Sequence, residues 1–333
     1  MVSTRPKVAF ISQPEYFRFT YENELDDIAD VMEFKYNYSM PPEAFLPLQE
    51  FNADVNFFFR GEFVPNTVLE RLRGKKVNLS SEPFPRVIEG RTVYTIDSLD
   101  RYLMFRQIEG KAYDYIFHYD AASLPFFEWD GLKLSGEFAF PVATNVYKPV
   151  DQPKTWDVFF IGRSTPWREI FFGKLKHYYN FLHVSHGIWG PDLVDYIGRS
   201  RICLNVHAEN EVSWEPRMQM LLACGAFVIS EKITPNRYLR PGVDYIEITR
   251  HDEIFDKAVY YLEHEDERNA IAENGLNRVR ELLDSKKTFV EMIRKLEHNE
   301  YPVFSGASRY KYLSNYSKFL KFSERPRNFL KFA

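Results

Sequence analysis

The sequence predicts an α/β fold with parallel sheets, divided into two domains. Short apolar segments rich in β-branched and aromatic residues alternate with segments of helical periodicity along most of the chain. Strands that alternate with helices form βαβ units, in which neighbouring strands are parallel. The length of 333 residues fits two domains, and a segment with three prolines, 138–153, separates two series of strands and helices. Each series is therefore expected to form a Rossmann-like domain, with 138–153 as the linker.

The first series covers the N-terminal part of the chain. Its predicted strands are Lys7–Ser12, Asp54–Arg60, Lys76–Ser80 and Tyr113–Tyr119. Its predicted helices are Asn66–Arg73, which follows a proline, and Asp97–Gly110.

The second series continues to about residue 300. Its predicted strands are Trp156–Gly162, Phe181–Ser185, Ile202–Val206 and Ala226–Ser230. Its predicted helices are Pro166–Tyr179, Pro191–Ser200, Glu215–Ala223, Asp252–His264, Asp266–Leu283 and Lys287–His298. The predicted domain limits are thus 1–145 and 146–305, followed by an extension at 306–333.

Composition excludes several classes of protein. With 15 glycines in 333 residues, glycine-rich and collagen-like chains are excluded. The two cysteines, Cys203 and Cys224, lie in apolar runs, so neither a disulfide framework nor a zinc site is expected. No export signal or membrane-spanning run is recognisable, and we expect a cytoplasmic protein in a reducing compartment.

Charge is unevenly distributed. The net charge of −4 is the sum of about −10 in residues 1–305 and +6 in the aromatic extension 306–333. The acidic body argues against a nucleic-acid partner. The extension is expected either to pack as a helix on the first domain or to contact a membrane surface peripherally.

Several metal and phosphate motifs are absent from the sequence. It contains no G-x-G-x-x-G, Walker A, H-E-x-x-H or D-x-D motif. His183 and His186 have a spacing compatible with a metal pair, but without further ligands such histidines are more typical of structural roles. A bound diphosphate would therefore be neutralised without metal, by a helix N-terminus and by arginine or lysine.

The segment 162–168 (GRSTPWR) contains the parts of such a diphosphate site. A predicted strand ends at Gly162, Pro166 suits the first turn of a helix, and Arg163 and Arg168 lie on either side of the loop. The alternative is an ordinary helix capped by Ser164 or Thr165, with two solvated arginines.

A second constellation lies in 205–226 (NVHAENEVSWEPRMQMLLACGA). His207 follows a predicted strand, and Glu215 and Arg217 begin an apolar helix, at the sheet edge where open α/β domains bind ligands. Alternatively, Glu215 only complements the helix dipole and His207 is a satisfied loop histidine.

Residues 157–296 resemble the donor-binding domain of GT-B glycosyltransferases, particularly the CgeB-like (spore maturation protein) group. The resemblance lies in an ordered series of segments, namely DVFFIGRSTPWR, YIGRSRICLNVH, EPRMQMLLACGAFVIS, YLRPGVDYIEI and YYLEHEDERNAIAENGLNRV. The first half resembles the family only in its layout and in NLSSEPFP.

The resemblance implies a GT-B fold, with two Rossmann-like domains facing across a cleft. It also implies metal-independent transfer of a sugar from a nucleotide diphosphate donor to an acceptor bound there. The acceptor would be a glycan, a lipid-linked molecule or a protein. The donor is a co-substrate, and no further cofactor is implied.

The resemblance also implies roles for particular residues. Gly162, Arg163 and Arg168 would face the diphosphate, Gly187 and Trp189 would lie near the base, and His207, Glu215 and Arg217 would approach the sugar and phosphates. Related enzymes have an acid in the EPRMQM helix where this chain has Met220. Recognition of the ribose could have moved to Glu231, or the donor could be bound in another way.

Three carboxylates are candidates for the general base that deprotonates the acceptor if the reaction inverts the anomeric centre. Glu82 in SSEPFPR is the first candidate, Asp120 in FHYDAAS the second and Glu62 in FRGEFVP the third. Each could instead be a helix cap or a salt-bridge partner. Two other functions stay open: a GT-B sugar-nucleotide epimerase and a non-catalytic nucleotide-sugar-binding module.

Overall fold

The computed structural model describes residues 5–208, 214–234 and 236–307, which form two units. In these residues the first unit contains 5–14, 26–139 and 292–307, and the second contains 15–25 and 140–291. The chain passes between the units after Ala139, inside the predicted linker. The predicted limits 1–145 and 146–305 stay a prediction, and the observed units differ from them in the assignment of 15–25, 140–145 and 292–305. The predicted extension beyond residue 307 lies outside the described residues.

The secondary structure is as follows. The strands are β1 (Lys7–Ser12), β2 (Asp30–Lys35), β3 (Val55–Phe59), β4 (Lys75–Ser80), β5 (Arg86–Ile88), β6 (Arg91–Val93), β7 (Tyr115–His118), β8 (Leu132–Lys133), β9 (Gly136–Glu137), β10 (Trp156–Ile161), β11 (Phe181–Val184), β12 (Ser200–Asn205), β13 (Val228–Glu231), β14 (Ile246–Ile248) and β15 (Ser305–Gly306). The α-helices are α1 (Pro14–Phe17), α2 (Leu46–Phe51), α3 (Asn66–Leu69), α4 (Ile96–Phe105), α5 (Leu124–Asp130), α6 (Pro166–Tyr178), α7 (Gly190–Gly198), α8 (Arg217–Ala223), α9 (Glu253–Glu263), α10 (Glu265–Leu282) and α11 (Ser285–Glu297). Short 3₁₀ helices lie at Arg18–Thr20, Pro42–Phe45, Gly61–Phe63, Arg106–Ile108 and Ala121–Ser123.

The first unit contains a parallel sheet with the strand order β2-β1-β3-β4-β7-β9. β3 is buried along its whole length, which explains its continuous apolar sequence, because a central parallel strand is covered on both faces. β2 is an edge strand, and half of its six residues are exposed. Its mixed sequence DVMEFK therefore lacks the apolar run that identified the other strands.

Aromatic side chains form much of the core of this unit. The ring of Phe84 lies 5.0 Å from Phe105 and 5.6 Å from Phe127, and all three side chains are buried. Aromatic residues bury large areas and pair in tilted or edge-to-face arrangements such as these. Part of the 17% aromatic content of the chain is thus used for packing in this core.

The second unit contains a parallel sheet with the strand order β11-β10-β12-β13-β14. α6 contacts α9, and α8 contacts α10. Because all strands of the sheet are parallel, their carboxyl ends and the loops that follow them lie at one edge. The candidate donor residues all lie at or beyond these strand ends. The order of the strands in the sheet therefore fixes the order in which these residues lie along the edge.

α10 approaches the rest of the second unit closely at Gly275. A Cβ atom added there would lie 2.4 Å from the carbonyl oxygen of Asp244 and 2.7 Å from Cδ2 of Leu222. Gly173 in α6 is also helical, but an added Cβ would meet no atom within 4 Å. Gly275 is therefore needed for close packing, whereas Gly173 is not.

No helix in the described part of the chain is both long and apolar enough to span a membrane.

We predict opposite effects of Gly275→Ala and Gly173→Ala on stability. Gly275→Ala should lower the free energy of unfolding by about 1–3 kcal/mol, because the methyl group overlaps backbone atoms. Gly173→Ala should raise it by about 0.5–1 kcal/mol, since alanine is the better helix former. Thermal unfolding of both variants measures the difference, and a stabilising effect of Gly275→Ala would contradict the close packing of α10.

Candidate functional site

The loop between β10 and α6 forms the centre of the site. Thr165 caps α6: its Oγ1 accepts a hydrogen bond from the backbone N–H of Arg168 at 3.2 Å and donates one to the carbonyl of Ala208 at 2.8 Å. The predicted helix cap is therefore present. Arg163 is exposed whereas Arg168 is buried, so the alternative of two solvated arginines does not hold for Arg168.

Arg168 and Arg217 are both buried beside the ring of Phe160, with guanidinium carbons 5.0 and 4.6 Å from the ring centre. Nε of Arg168 donates to the carbonyl of Val206 at 2.9 Å. Nη2 of Arg217 donates to the same carbonyl at 3.2 Å, and its Nη1 donates to the carbonyl of Ile161 at 2.7 Å. The two arginines therefore join the ends of β10 and β12.

Glu215 contacts both guanidinium groups. Its carboxylate lies 2.9 Å from Nη2 of Arg217, 3.6 Å from Nη2 of Arg168 and 3.8 Å from Nδ1 of His207. Burial alone would raise the pKa of Glu215, but Arg217, His207 and Arg168 outweigh burial and lower it to about 2. This carboxylate is therefore ionised at neutral pH.

The arginine pair has more positive charge than Glu215 neutralises. Two guanidinium groups and one carboxylate give this cluster of three a net charge of +1. Burial, followed by repulsion from Arg217, lowers the pKa of Arg168 to about 10. Burial also lowers the pKa of Arg217. Glu231 and the exposed Arg163 also act electrostatically on the pair, and since their charges cancel the total stays at +1, which suits an additional anion.

Gly162 allows the loop to lie directly against the arginines. Its φ is +143°, and an added Cβ would lie 2.8 Å from Nη1 of Arg217 and 3.2 Å from Nη1 of Arg168. Any other residue here would displace a guanidinium group or strain the backbone.

Glu231, at the end of β13, is fixed by two donors. Its Oε1 accepts from Nε1 of Trp167 at 3.1 Å, and its Oε2 accepts from the backbone N–H of His207 at 2.6 Å. Burial raises the pKa of Glu231 above its usual value despite the nearby His207. The carboxylate lines a cavity of about 470 Å³ at the ends of β13 and β14.

His207 lies between this cavity and the arginine pair. Its ring is buried, and Nε2 lies 3.2 Å from the carbonyl of Lys232, which can only accept, so Nε2 is the donor in this contact. Its Nδ1 has no hydrogen-bond partner within the described residues. His207 is therefore a constrained side chain that lines the cavity and lies beside Glu215.

Gly187 and Trp189 follow β11, which adjoins β10 on the side away from β12. Gly187 has a φ of +91°, and Trp189, immediately before α7, is 47% exposed. They share the sheet edge with the arginine pair but lie along it in the opposite direction from Glu231. Their predicted role near a base stays a prediction.

The two histidines with metal-like spacing make separate contacts. Nε2 of His183 lies 2.8 Å from the carbonyl of Gly162, and Nδ1 of His186 lies 2.8 Å from Oγ of Ser185. Within 5–208, 214–234 and 236–307, no group of three or more His, Cys, Asp or Glu side chains could hold a metal ion.

In the first unit, Glu62 and Glu82 follow the neighbouring strands β3 and β4 and are joined by Arg60. Nε of Arg60 lies 3.1 Å from Glu62, and Nη1 lies 2.7 Å from Glu82, which also pairs with Arg101. The side chain of Glu62 is 2% exposed and that of Glu82 is 13% exposed. Burial raises the pKa of Glu62 despite the adjacent Arg60.

Asp120 follows β7, the next strand of the same sheet, but has different partners. Its Oδ1 accepts from the backbone N–H of Ala122 at 2.9 Å, capping a 3₁₀ turn, and Oδ2 lies 3.8 Å from Nε of Arg86. Asp120 therefore makes both a helix cap and an ion pair, the two structural roles that the sequence allows besides that of a base. Whether any of the three carboxylates is the base stays a prediction.

Sequence reasoning missed the side chains that organise these carboxylates. Arg60, Arg86 and Arg101 occur in the sequence near the candidate acids, but nothing marked them as partners. The contact between Trp167 and Glu231 joins residues 64 positions apart and has no local sequence signal. Arg60 could have been found, because it lies two residues before the candidate Glu62 in FRGEFVP.

Comparison with known proteins agrees with this architecture. A family model described as "Glycosyl transferase-like" matches residues 148–294. No curated protein sequence matches the chain.

Three solved structures share the fold. The Anabaena HepE protein in complex with UDP and glucose is 11% identical, with 88% of this chain and 100% of that chain covered and a TM-score of 0.56. Sucrose-phosphate synthase from Thermosynechococcus elongatus is 11% identical, with 89% and 100% covered and a TM-score of 0.57. An alpha-glucosyltransferase in complex with UDP-glucose and DNA is 10% identical, with 88% and 99% covered and a TM-score of 0.61.

The α/β GT-B fold predicted from the sequence is confirmed by these structural matches. The predicted enzyme class, glycosyltransferase, is confirmed by the family match, which lies almost entirely within the second unit. The finer assignment to the CgeB-like group stays a prediction.

We predict that Glu215→Gln destabilises the protein in a pH-dependent way. The folded-state pKa of about 2 lies below the ordinary 4.5, so the carboxylate stabilises the fold fully above about pH 4.5 and this contribution is lost as pH falls toward 2. At neutral pH the loss should be about 2–3 kcal/mol.

Chemical unfolding from about pH 7 to about pH 3 measures this loss, with the exposed Glu263→Gln in α9 as control. The deficit of Glu215→Gln should shrink on acidification while the control stays near wild type. A deficit independent of pH would show that the ion pairs do not stabilise the fold.

Proposed function

We propose that this glycosyltransferase uses a nucleoside diphosphate sugar as donor, with the diphosphate bound at the loop 162–168. The observation that supports this most strongly is the buried pair of Arg168 and Arg217, which share the carboxylate of Glu215. A diphosphate is the anion that a net positive cluster at the carboxyl edge of a parallel sheet would bind.

The residues of this site would have two kinds of role, direct contact with the phosphates and positioning of the loop. α6 is 13 residues long, and its N-terminus has a positive dipole end and backbone N–H groups without intrahelical acceptors. Arg163 is exposed at the start of this loop and would contact the phosphates directly. Arg168 and Arg217, whose donors are engaged by carbonyl groups, would hold the loop in place and supply positive potential.

This arrangement supports a metal-independent reaction. Departure of a nucleoside diphosphate leaves negative charge on the β-phosphate, and fixed dipoles and guanidinium groups can stabilise it. The UDP and UDP-glucose named for the structural relatives make uridine nucleotides the first donors to test.

The first unit would supply the acceptor site and the base. Glu82 is the more exposed member of the Glu62–Glu82 pair, and Arg60 and Arg101 fix both of its oxygens. A fixed carboxylate at the carboxyl edge of the sheet could accept the proton of an acceptor hydroxyl if the reaction inverts the anomeric centre. The nature of the acceptor, a membrane contact through 306–333 and a cytoplasmic location remain predictions from the sequence.

We predict that donor nucleotides stabilise the wild-type protein and that Arg163→Ala weakens their binding about tenfold, because one charge-assisted contact is lost. A thermal-shift screen with UDP, GDP, CMP, dTDP and ADP sugars measures this. A ligand at a hundredfold its Kd adds about 2.7 kcal/mol of stability.

Arg199→Ala is the matched control for this screen. Arg199 is also a partly exposed arginine of the second unit, but it immediately precedes β12, at the opposite edge of the sheet. Absence of stabilisation by any of these ligands at millimolar concentration, or equal effects of the two substitutions, would refute the proposed site.

We also predict that Glu82→Gln abolishes transfer but leaves donor affinity within about twofold, since the amide keeps the shape of the carboxylate but cannot take a proton. Transfer and donor binding are measured for Glu82→Gln, Asp120→Asn and Glu62→Gln, with the exposed Glu128→Gln in α5 as control. Full transfer activity of Glu82→Gln would exclude it as the base. Product analysis without acceptor distinguishes transfer from epimerisation.

A further inference from the structure

The second unit contains a cavity of about 470 Å³ that the diphosphate site does not use. It lies at the carboxyl ends of β13 and β14, beside the first turn of α6. Its volume is within the range of small-ligand pockets, roughly 300–1,000 Å³. The residues that determine its chemistry are Trp167, Phe171, His207, Glu231, Thr249 and Asp252.

One wall of the cavity is aromatic. The ring centres of Trp167 and Phe171 are 5.4 Å apart with an angle of 65° between the ring planes, and Trp167 is half-buried. Aromatic faces of this kind can pack against the C–H face of a sugar ring or against a planar base. The aromatic wall alone is therefore compatible with either a sugar or a nucleotide base.

Glu231 favours a ligand with hydroxyl groups. Each of its carboxylate oxygens accepts one hydrogen bond from the protein, at 3.1 Å from Trp167 and 2.6 Å from the backbone of His207. A carboxylate has about four acceptor positions, so each oxygen can accept another hydrogen bond. The hydroxyls of a sugar supply adjacent donors of this kind.

The charges that line the cavity are balanced. Lys232 and Arg250 contribute two positive charges, Glu231 and Asp252 contribute two negative charges, and Nε of Arg250 donates to Asp252 at 2.9 Å. These four formal charges cancel. A neutral ligand fits this lining better than an acidic or phosphorylated one.

The cavity adjoins the diphosphate site through two residues. Trp167 immediately precedes Arg168 in the first turn of α6. His207 lines the cavity while its Nδ1 lies 3.8 Å from the carboxylate of Glu215. A ligand with its diphosphate at α6 could therefore extend into the cavity.

We propose that this cavity binds the neutral glycosyl group of the donor and that Glu231 accepts hydrogen bonds from its hydroxyls. The proposal rests on the proposed function. It places recognition of the donor sugar at the carboxyl ends of β13 and β14. Trp189, which follows β11, lies at the other side of the sheet.

The test compares binding of UDP, UDP-glucose and UDP-glucuronic acid to wild type, Glu231→Gln and Trp167→Phe by titration calorimetry. If wild type prefers another base, the corresponding diphosphate and its neutral hexose conjugate replace the uridine pair. The exposed Glu273→Gln in α10 is the matched control, and thermal unfolding verifies that each variant is folded.

Glu231→Gln should weaken UDP-glucose binding about tenfold and change UDP binding less than twofold, because only the glycosyl group contacts the carboxylate. Trp167→Phe should weaken UDP-glucose binding in the same direction but less, since Glu231 loses one of its two anchors. Wild type should bind UDP-glucuronic acid more weakly than UDP-glucose.

Three other outcomes have distinct meanings. Equal losses for UDP and UDP-glucose would place the nucleoside in the cavity and overturn the proposal. Unchanged binding of both ligands by Glu231→Gln would overturn it as well. No binding of any nucleoside diphosphate by wild type would instead refute the proposed function on which it rests.

Discussion

The second unit depends on a buried pair of like charges. Arg168 and Arg217 come from different helices, and both donate to the carbonyl of Val206 at the end of β12. Two guanidinium groups without a nearby anion would be costly to bury, and Glu215 supplies one carboxylate for both. This arrangement leaves a net positive charge. It also requires a glycine at position 162, because an added Cβ would lie 2.8 Å from Nη1 of Arg217.

The first unit has a different arrangement at the carboxyl edge of its own sheet. There, one arginine, Arg60, joins two carboxylates, those of Glu62 and Glu82. Each unit thus has a group of ionic side chains where adjacent parallel strands end. The cluster of Arg168, Arg217 and Glu215 has a net positive charge, which suits phosphates. The carboxylates of the first unit suit proton transfer.

The sequence predicted the fold well where strands are covered on both faces, as in β1, β3 and β10, because burial produces continuous apolar runs. β2 escaped prediction since an edge strand needs no such run. The glycine and helix cap at 162–165 were also predictable, since turn and cap chemistry is local. Burial of Arg168 was not, because its acceptors are backbone carbonyls at strand ends. The Trp167–Glu231 contact depends on the tertiary fold alone.

The central claim is that the loop 162–168 and the arginine pair beneath it bind the donor diphosphate. A crystal structure of the UDP complex tests this most directly. We predict that the phosphate oxygens lie within hydrogen-bond distance of Arg163 and of the backbone N–H groups at the start of α6, with Arg168 and Arg217 still bonded to the strand-end carbonyls. A diphosphate bound away from this loop, with the arginine pair uninvolved, would contradict the account.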